Sequence, residues 1–408
     1  MIDRQSLLAR FLRYVRIEST AVDGLERYPS SDGQLTMGKL LVEELQAIGI
    51  DAKQDQYGIV VATLPGNVPN APVVALNSHV DTSPETSGAN VQPNVIEQYD
   101  GKDIALGTSG ISITLAENPE LKELVGKTII TTDGTTLLGG DDKAGIAIIM
   151  EVAATLKKNP SIPRGDLRIL FTCDEEIGRG VNHVDVEALA ADVCYTLDGG
   201  GAGDIDTETF SADGAVVTVR GTNIHPSIAK DRMVNSVKGM AEFLTRLPKD
   251  KLAPEVTDGR DGFLHPYELT SAVDQSVAKI LIRDFETANL EKHAQVLHEI
   301  GREVEETIPG CKVEIEVKTQ YRNLGDGLKK EPRAVAFAEE AHRRLGKPFR
   351  LNAIRGGTDG SRLTELGLPT PNLSSGQHNP HSPREFACLD EMHEACEVVV
   401  ELLKVWAE

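Results

Sequence analysis

The sequence predicts an α/β protein: a mostly parallel sheet with helices on both faces, and a smaller α+β domain inserted into the larger one. Strand-like and helix-like segments alternate through the first half of the 408-residue chain. Around residue 210 the pattern changes to several half-buried strands with two helices. From about residue 331 long helices and polar loops return, as expected if one domain interrupts another.

The first half contains three short apolar strands, predicted in APVVALNSHVD, DLRILFTCDEE and DVCYTLDGGG. Between the first two lies DDKAGIAIIMEVAATLKK, which has apolar residues at helical spacing and a Lys-rich end. Strand–helix–strand alternation of this kind predicts parallel pairing. The start, MIDRQSLLARFLRYVRIEST, carries basic and acidic residues and lacks the apolar core of a signal peptide, and it is predicted to be an amphipathic helix. The loop-rich region 82–136 allows no assignment.

The middle of the chain is typical of a small α+β domain. Strands are predicted in GAVVTVRG, AKILIRDF and CKVEIEVKT, and helices in MVNSVKGMAEFLTRL and NLEKHAQVLHEIGREVEE. The C-terminal DEMHEACEVVVELLKVWAE is predicted to be a closing helix of the larger domain.

Composition disfavours several classes of function. The net charge of −21 disfavours nucleic acid and anionic membranes as partners, and 4% aromatic residues leave few platforms on which bases could stack. No apolar run approaches the ~18 residues of a membrane span. The five cysteines are odd in number and lack CxxC spacing, which indicates reduced thiols and a cytoplasmic location.

Side chains that bind metals follow each first-half strand and recur near the C-terminus. Taken singly, each has an ordinary explanation as a surface residue, a turn or a helix cap. In an open α/β sheet, however, the carboxyl ends of parallel strands meet at one edge, so these groups are expected to converge. They are His79, Asp81, Glu175, Glu176, Asp198, His378 and His381.

Two adjacent aspartates, Asp141 and Asp142, begin the long apolar helix, where their like charges repel each other. Carboxylates combined with imidazoles suit Zn²⁺, and also Mn²⁺ or Co²⁺. More acids than one ion needs predict two ions. We therefore expect one aspartate to bridge two cations while its neighbour caps the helix.

Several motifs together resemble the M20 metallopeptidase family. They are SHVDTSP, TTDGTTLLGGDDKAGIA, CDEEIGRG, YTLDGGG, NIHPSIAK, IRDF and IRGGTDG, and the resemblance runs from FLRYV to REFACLDEM. One departure is SPREF after His381, where the family usually has a glycine and a basic or aromatic residue before EF. This loop borders the site, so the departure bears on side-chain selectivity.

The resemblance implies two Zn²⁺ ions per chain and assigns their ligands. His79, Asp141 and Asp198 would hold the first ion. Asp141 would bridge to the second, which Glu176 and His381 would complete.

The same resemblance assigns two further acids near the metals. Asp81 would orient the ligand His79, and Glu175 would be the general base. The family pattern also predicts a cis peptide between Asp141 and Asp142.

The inserted segment corresponds by resemblance to the family's lid domain. The implied boundaries are 211–321 for the lid, and 1–210 with 322–408 for the catalytic domain. The resemblance leaves open whether the lid serves its own chain or, in a homodimer, the partner subunit.

Four residues are implied to contact the substrate. His225 would approach the scissile carbonyl. Arg283 and Arg355 would grip the substrate's C-terminal carboxylate, since a planar guanidinium pairs with a carboxylate through two hydrogen bonds. Gly357, in the same motif as Arg355, is placed with them.

The implied activity is that of an aminotripeptidase, a hydrolase of peptide catabolism that removes the N-terminal residue of tripeptides. Within the family, a dipeptidase, a carboxypeptidase or an N-acyl amino acid deacylase would use the same metals. A phosphatase is a remote alternative, because TTDGTTLL has Thr131 where a nucleophilic aspartate would stand. A non-catalytic binder is disfavoured because it would not need Glu175.

Overall fold

The computed structural model describes residues 2–408. They form two compact units, each with its own sheet. The fold is α/β, as predicted. The first unit comprises residues 2–207, Gly327–Ala353 and Thr358–Glu408, and the second comprises Glu208–Asp326 with Ile354–Gly357.

Seventeen strands are present in the described residues. In chain order they are β1 (Asp51–Gln54), β2 (Val60–Leu64), β3 (Val74–His79), β4 (Asn94–Ile96), β5 (Ile104–Leu106), β6 (Ile111–Ile113), β7 (Ile129–Thr131), β8 (Leu167–Thr172), β9 (Val193–Gly200), β10 (Asp204–Thr209), β11 (Ser211–Arg220), β12 (Phe263–Ser271), β13 (Gln275–Asp284), β14 (Lys312–Tyr321), β15 (Arg350–Ile354), β16 (Asn372–His378) and β17 (Phe386–Cys388).

Ten α-helices and four short 3₁₀ turns complete the described elements. The helices are α1 (Arg4–Tyr14), α2 (Asp32–Ala47), α3 (Gly140–Lys158), α4 (Val186–Leu189), α5 (Ser236–Arg246), α6 (Thr287–Thr307), α7 (Leu324–Leu328), α8 (Arg333–Leu345), α9 (Asp359–Glu365) and α10 (Leu389–Trp406). The 3₁₀ turns are Pro119–Leu124, Glu175–Ile177, Pro226–Ile228 and Pro254–Val256.

The centre of the large sheet is parallel. β8 pairs with β3, β3 with β9, and β9 with β16, all in the parallel sense. The full order is β1-β2-β8-β3-β9-β16-β17-β7-β4, with β10 beside β16 and β15 beside β10. The flanking pairs β1–β2, β2–β8, β16–β17, β17–β7 and β4–β7 are antiparallel. The carboxyl ends of β3, β8, β9 and β16 therefore share one edge.

The long helix α3 packs against this parallel centre. It contacts β3, β9 and β16, and its residues from Asp142 to Leu156 are all buried. A helix that is apolar on every face has to be enclosed by protein, so its sequence fixes a central position. Lys157 and Lys158 lie in its last turn, where they complement the helix dipole.

The region 82–136 contains only short strands. β4 and β7 extend the large sheet, and β5 pairs with β6 in a separate hairpin. A small apolar cluster that includes Tyr99, Ile113 and Leu121 holds this region together. Strands of three residues are too short to show periodicity, so no element could be assigned here from the sequence.

The second unit is an antiparallel sheet covered by two helices. Its strand order is β12-β13-β11-β14, and α5 and α6 pack on it. Buried and less buried residues alternate along β11 and β13. Val217, Val219 and Ile280 therefore face the helices, where they pack in one core with Phe243 of α5 and Leu297 of α6.

All five cysteines are buried and carry free thiols, which agrees with the expectation of reduced cysteines. Within residues 2–408, no helix combines the length and the apolar character that crossing a bilayer would require.

Candidate metal centre

Five side chains converge at the shared edge of the parallel strands. They form two groups of three, and within each group the ligand atoms lie within 4.8 Å of one another. Asp141 belongs to both groups. The first group is His79, Asp141 and Asp198, and the second is Asp141, Glu176 and His381.

Asp141 directs its two carboxylate oxygens at two different imidazoles. Its Oδ1 lies 3.0 Å from His79 Nε2, and its Oδ2 lies 3.3 Å from His381 Nε2. A carboxylate that bridges two cations needs one oxygen for each. Its arrangement here fits that requirement.

The remaining members complete each group on opposite sides of Asp141. Asp198 Oδ1 lies 3.9 Å from His79 Nε2, and Glu176 Oε2 lies 2.8 Å from His381 Nε2. The second carboxylate oxygen of Glu176, Oε1, is buried without a hydrogen-bond partner among the described residues. A buried acceptor without a donor is costly, and a cation ligated by this oxygen would remove that cost, so Glu176 fits a metal-binding role.

The electrostatics of the cluster also favour cations. Burial raises the pKa of Asp198 well above its ordinary value, and the charges of Asp141 and Asp142 add to this effect. Burial likewise raises the pKa of Glu176 to about 7. Hydrogen bonds to Asp141 and Glu176 raise the pKa of His381 to about 11. Without cations, these carboxylates recruit protons to balance their charge, and divalent ions would replace those protons.

Asp81 belongs to neither ligand group but supports residues of the site through hydrogen bonds. His79 Nδ1 lies 3.2 Å from the carbonyl oxygen of Asp81 and 3.4 Å from its Oδ1, so Nε2 is left for the metal. The two carboxylate oxygens of Asp81 accept the backbone N–H groups of Glu175 and Glu176, at 3.1 and 3.0 Å. Asp81 therefore fixes both a ligand histidine and the turn that carries the two glutamates.

Glu175 stands beside the cluster without belonging to either ligand group. Its Oε2 lies 4.0 Å from His79 Nε2. Burial raises its pKa well above the ordinary carboxyl value, and the carboxylates of Asp359 and Glu176 add to this rise. The position suits an acid–base group next to the metals.

Asp142 joins the start of α3 to the end of β3. Its carboxylate accepts the hydroxyl of Ser78 at 2.5 Å and the backbone N–H groups of His79 and Gly145 at 3.3 Å. The Asp141–Asp142 peptide is cis, which confirms that prediction. Asp142, the neighbour of Asp141, thus caps the regular part of the helix, as the sequence suggested.

A family model described as Peptidase family M20/M25/M40 matches residues 133–405. A peptidase T of Geobacillus kaustophilus is 41% identical over 408 residues, covering 99% of each chain. This chain belongs to the M20 peptidase family. A peptidase T of Halothermothrix orenii is also 41% identical, over 401 residues and 98% of each chain.

Solved structures confirm the fold. The aminopeptidase PepT from Bacillus cereus superposes with a TM-score of 0.76 at 22% identity, over all of both chains. A tripeptidase from Staphylococcus aureus gives 0.78 at 24% identity, over 100% of this chain and 99% of that one. A dinuclear metal-binding M20 peptidase from Bacillus subtilis gives 0.66 at 14% identity, over 98% of each chain. The M20 family thus includes dinuclear enzymes, and this chain has two candidate groups of metal ligands.

His225, implied by the M20 pattern to contact substrate, is an exposed residue of the second unit. Its Nδ1 lies 3.2 Å from the backbone nitrogen of Ser227 and 2.7 Å from the Ser227 hydroxyl. A backbone N–H can only donate, so Nδ1 is the acceptor. In the neutral ring the proton therefore resides on Nε2, which makes Nε2–H a hydrogen-bond donor.

The guanidinium of Arg355 is engaged within the second unit. Its Nη1 donates to the carbonyls of Gly259 and Asp261 at 2.9 and 3.0 Å, and its Nη2 donates to the hydroxyl of Thr257 at 3.1 Å. Its carbon Cζ lies 5.1 Å from the centre of the Phe210 ring. In this conformation Arg355 anchors a loop. To bind a substrate carboxylate, its guanidinium would have to break its hydrogen bonds to those carbonyls.

Arg283 is similarly occupied. Its Nη1 donates to the carbonyls of Asp213 and Ile282, both at 3.0 Å, and its guanidinium lies over the Tyr321 ring. Gly357 is packed under the same ring, where a Cβ atom would come within 2.4 Å of it. Close packing explains why residue 357 is a glycine.

His378, which the sequence grouped with the metal-binding residues, is not in either ligand group. Its Nε2 lies 2.7 Å from Glu391 Oε2, and its ring stacks on Phe386 with centres 4.4 Å apart. The side chain therefore joins β16 to α10 and β17.

Sequence reasoning missed three residues that support the ligands. Gln377 Nε2 donates a hydrogen bond to Asp198 Oδ1 at 3.1 Å. Buried Asp174, which directly precedes Glu175, accepts a hydrogen bond from Gln34 Nε2 at 2.6 Å. Buried Glu385 accepts backbone N–H groups at the start of α3. None of the three carried a signal in the sequence, because the partners of each lie 140 or more residues away along the chain.

Proposed function

We propose that this protein is a two-metal aminopeptidase that releases the N-terminal residue of tripeptides. Membership of the M20 family and 41% identity to peptidase T over nearly the whole chain support it. The observation that carries the proposal is Asp141, whose two oxygens face separate imidazoles while Glu175 remains outside both ligand groups.

The proposed ions are two Zn²⁺, with Co²⁺ or Mn²⁺ as alternatives that suit the same donors. His79 and Asp198 would complete the first site and Glu176 and His381 the second, with Asp141 shared. Bound there, such cations lower the pKa of a shared water and polarise a carbonyl.

Glu175 supplies the proton transfers in this proposal. It accepts a proton as the oxygen of water bonds to the first peptide carbonyl carbon, and it returns that proton to the amide nitrogen as the C–N bond breaks. The products are a free amino acid and a dipeptide. Asp81 holds the Glu175 backbone, so the carboxylate is directed by two hydrogen bonds to the turn.

His225 supplies a neutral donor. With Nδ1 accepting from Ser227, its Nε2–H is the group that can stabilise an oxyanion on the attacked carbonyl. The donor role holds whether His225 serves its own chain or, in a homodimer, the partner subunit.

The second unit, bounded at 211–321 by the sequence, is proposed as the lid. Arg283 and Arg355 are proposed to pair with the C-terminal carboxylate of the substrate once they release their backbone carbonyls. Free buried thiols, the acidic surface and the small peptide substrates support a role in cytoplasmic peptide catabolism.

Turnover of a peptide panel by metal-reconstituted protein tests the proposal. Trialanine should be cleaved far better than dialanine or tetra-alanine, and N-acetyl-trialanine should not be cleaved. Amidating the C-terminus of trialanine should lower kcat/KM by roughly tenfold to a hundredfold, because a charge-assisted pair contributes about 1.5–3 kcal/mol. Preference for the N-acetyl peptide would indicate a deacylase, and preference for dialanine a dipeptidase.

A further inference from the structure

The side chain of Glu385 is buried. It hydrogen-bonds to the backbone of a candidate metal ligand, Asp141, and not to a ligand side chain. It is 1% exposed. Its Oε2 accepts the N–H groups of Leu138 and Gly139 at 2.7 and 2.8 Å, and its Oε1 accepts the N–H of Asp141 at 3.0 Å. Three backbone donors therefore converge on one side chain.

These donors belong to the start of α3, where helix N–H groups have no partner within the helix. Gly139 has left-handed backbone angles, with φ 78°, and the geometry inside the helix is irregular at Asp141 and Asp142. The segment thus lacks the regular hydrogen bonds that usually fix a backbone. Glu385 replaces them, and the partial positive charge of the helix start favours an anion there.

Glu385 also connects two parts of the metal centre. It follows His381 by four residues and precedes β17, whereas the groups it holds precede and include Asp141. His381 and Asp141 are both candidate ligands of the second ion. A displacement of either segment would change the 3.3 Å approach of His381 Nε2 to Asp141 Oδ2.

We propose that Glu385 is a positioning residue that sets the bridging orientation of Asp141. Its three hydrogen bonds fix the main chain from which the Asp141 carboxylate projects, so that one oxygen faces each imidazole. The inference rests on the proposed two-metal function and extends it to a residue outside both ligand groups.

The test uses the full-length protein reconstituted with Mn²⁺. Two Mn²⁺ ions joined by a bridging carboxylate are exchange-coupled, and their EPR lines have half the hyperfine spacing of an isolated ion. The variant is Glu385→Gln, whose amide keeps the size of the side chain but presents an NH₂ group to at least one backbone N–H. The control is Glu151→Gln, because Glu151 is also buried on α3 and accepts the N–H of Asp3 at 3.1 Å.

The wild type and Glu151→Gln should bind two Mn²⁺ and give the coupled spectrum. Glu385→Gln should bind the second Mn²⁺ about 10–100-fold more weakly, as is typical when a residue supporting a ligand is lost, and its spectrum at saturation should be largely uncoupled. Glu385→Asp, which keeps the charge but has a shorter reach, should show the same changes and replaces Glu385→Gln if that variant does not fold.

A coupled spectrum with wild-type Mn²⁺ affinity in the folded Glu385 variant would overturn the proposal for Glu385 alone. An uncoupled spectrum in the wild type would instead overturn the bridging assignment of Asp141, and with it the two-metal basis of the proposed function. The two failures are therefore distinguishable.

Discussion

At the scale of the residue, buried carboxylates that accept backbone N–H groups recur around the metal centre. Asp81, Asp142 and Glu385 fix the main chain at candidate ligands or at Glu175, whereas Asp174, which directly precedes Glu175, accepts the N–H of Ser30. Such bonds offset part of the cost of burying a carboxylate, although burial still raises the pKa of Asp142 well above its ordinary value and that of Glu385 to about 7. The carboxylates are those of Asp81, Asp142, Asp174 and Glu385.

Asp206 has no such compensation from backbone groups in the contacts described, and its substitution should stabilise the protein. Burial raises its pKa to about 7, the charge of Asp204 adds to this, and Asn372 donates one hydrogen bond at 2.9 Å. The ordinary value is 3.8, so the folded state binds more protons between pH 4 and 7 and loses stability as pH rises through that window. Asp206→Asn should be more stable than wild type at pH 8 by roughly 2–4 kcal/mol.

Urea unfolding midpoints of the wild type and Asp206→Asn, measured at pH 5 and pH 8, check this. The advantage of the variant should be small at pH 5 and larger at pH 8. An advantage that is equal at both values would show that Asp206 does not titrate in this range.

Ser227 should control the tautomer of His225. Ser227→Ala removes the hydroxyl at 2.7 Å from Nδ1 but keeps the backbone N–H, and a hydrogen bond contributes about 0.5–1.5 kcal/mol. The ratio of the Nε2–H to the Nδ1–H tautomer should therefore fall roughly twofold to tenfold. The ¹⁵N chemical shifts of His225, assigned with His225→Ala, measure the ratio directly. Ser227→Thr, which keeps a hydroxyl, should match the wild type, and an unchanged ratio in Ser227→Ala would refute the tautomer argument.

At the scale of the element, the turn Glu175–Ile177 and the residues up to Gly180 form a loop fixed by packing. Asp359, at the start of α9, lies so close to Gly180 that a Cβ atom there would come within 1.9 Å of Asp359 Oδ1. This contact excludes every side chain at residue 180.

Gly180→Ala should therefore lower the free energy of unfolding by about 1–3 kcal/mol, the usual effect of overpacking. The matched control is Gly178→Asn. Residue 178 has open space around its Cβ position and left-handed angles, with φ 71°, which asparagine tolerates. Urea unfolding midpoints should fall clearly for Gly180→Ala and little for Gly178→Asn. Equal falls would mean that the loop as a whole, and not the contact with Asp359, is sensitive.

Some of these elements were predictable from the sequence and others were not. The convergence of polar side chains was predictable because strands β3, β8 and β9 are apolar runs that end in polar groups, and parallel strands end at one edge. The choice of candidate ligands among them came from the resemblance to the M20 family. The antiparallel pairs at the sheet margins were not predicted, since periodicity does not report the direction of pairing. Glu385 was missed because its partners are backbone atoms about 245 residues away, which leave no pattern in the sequence.

At the scale of the whole molecule, the candidate ligands, Asp81 and Glu175 all lie in the first unit. They come from strand ends, a helix start and a loop that are spread from residue 79 to residue 381. Metal binding is therefore expected to depend on the complete fold of that unit. Conversely, bound cations should stabilise the unit, because they bind the folded chain and have no assembled site in the unfolded chain.

We predict that Asp141, Glu176 and their partners bind two cations while the adjacent Glu175 transfers protons. Metal content and kcat, measured on the same preparations of Glu175→Gln and Glu176→Gln, test it most directly. Glu175→Gln should keep two metal ions per chain and lose about 10²–10⁴ in rate, because an amide cannot accept the proton. Glu176→Gln should lose metal and regain part of its rate when metal is added in excess. If Glu175→Gln is the variant that loses metal, or if it retains the wild-type rate, the assignment of the two glutamates is contradicted.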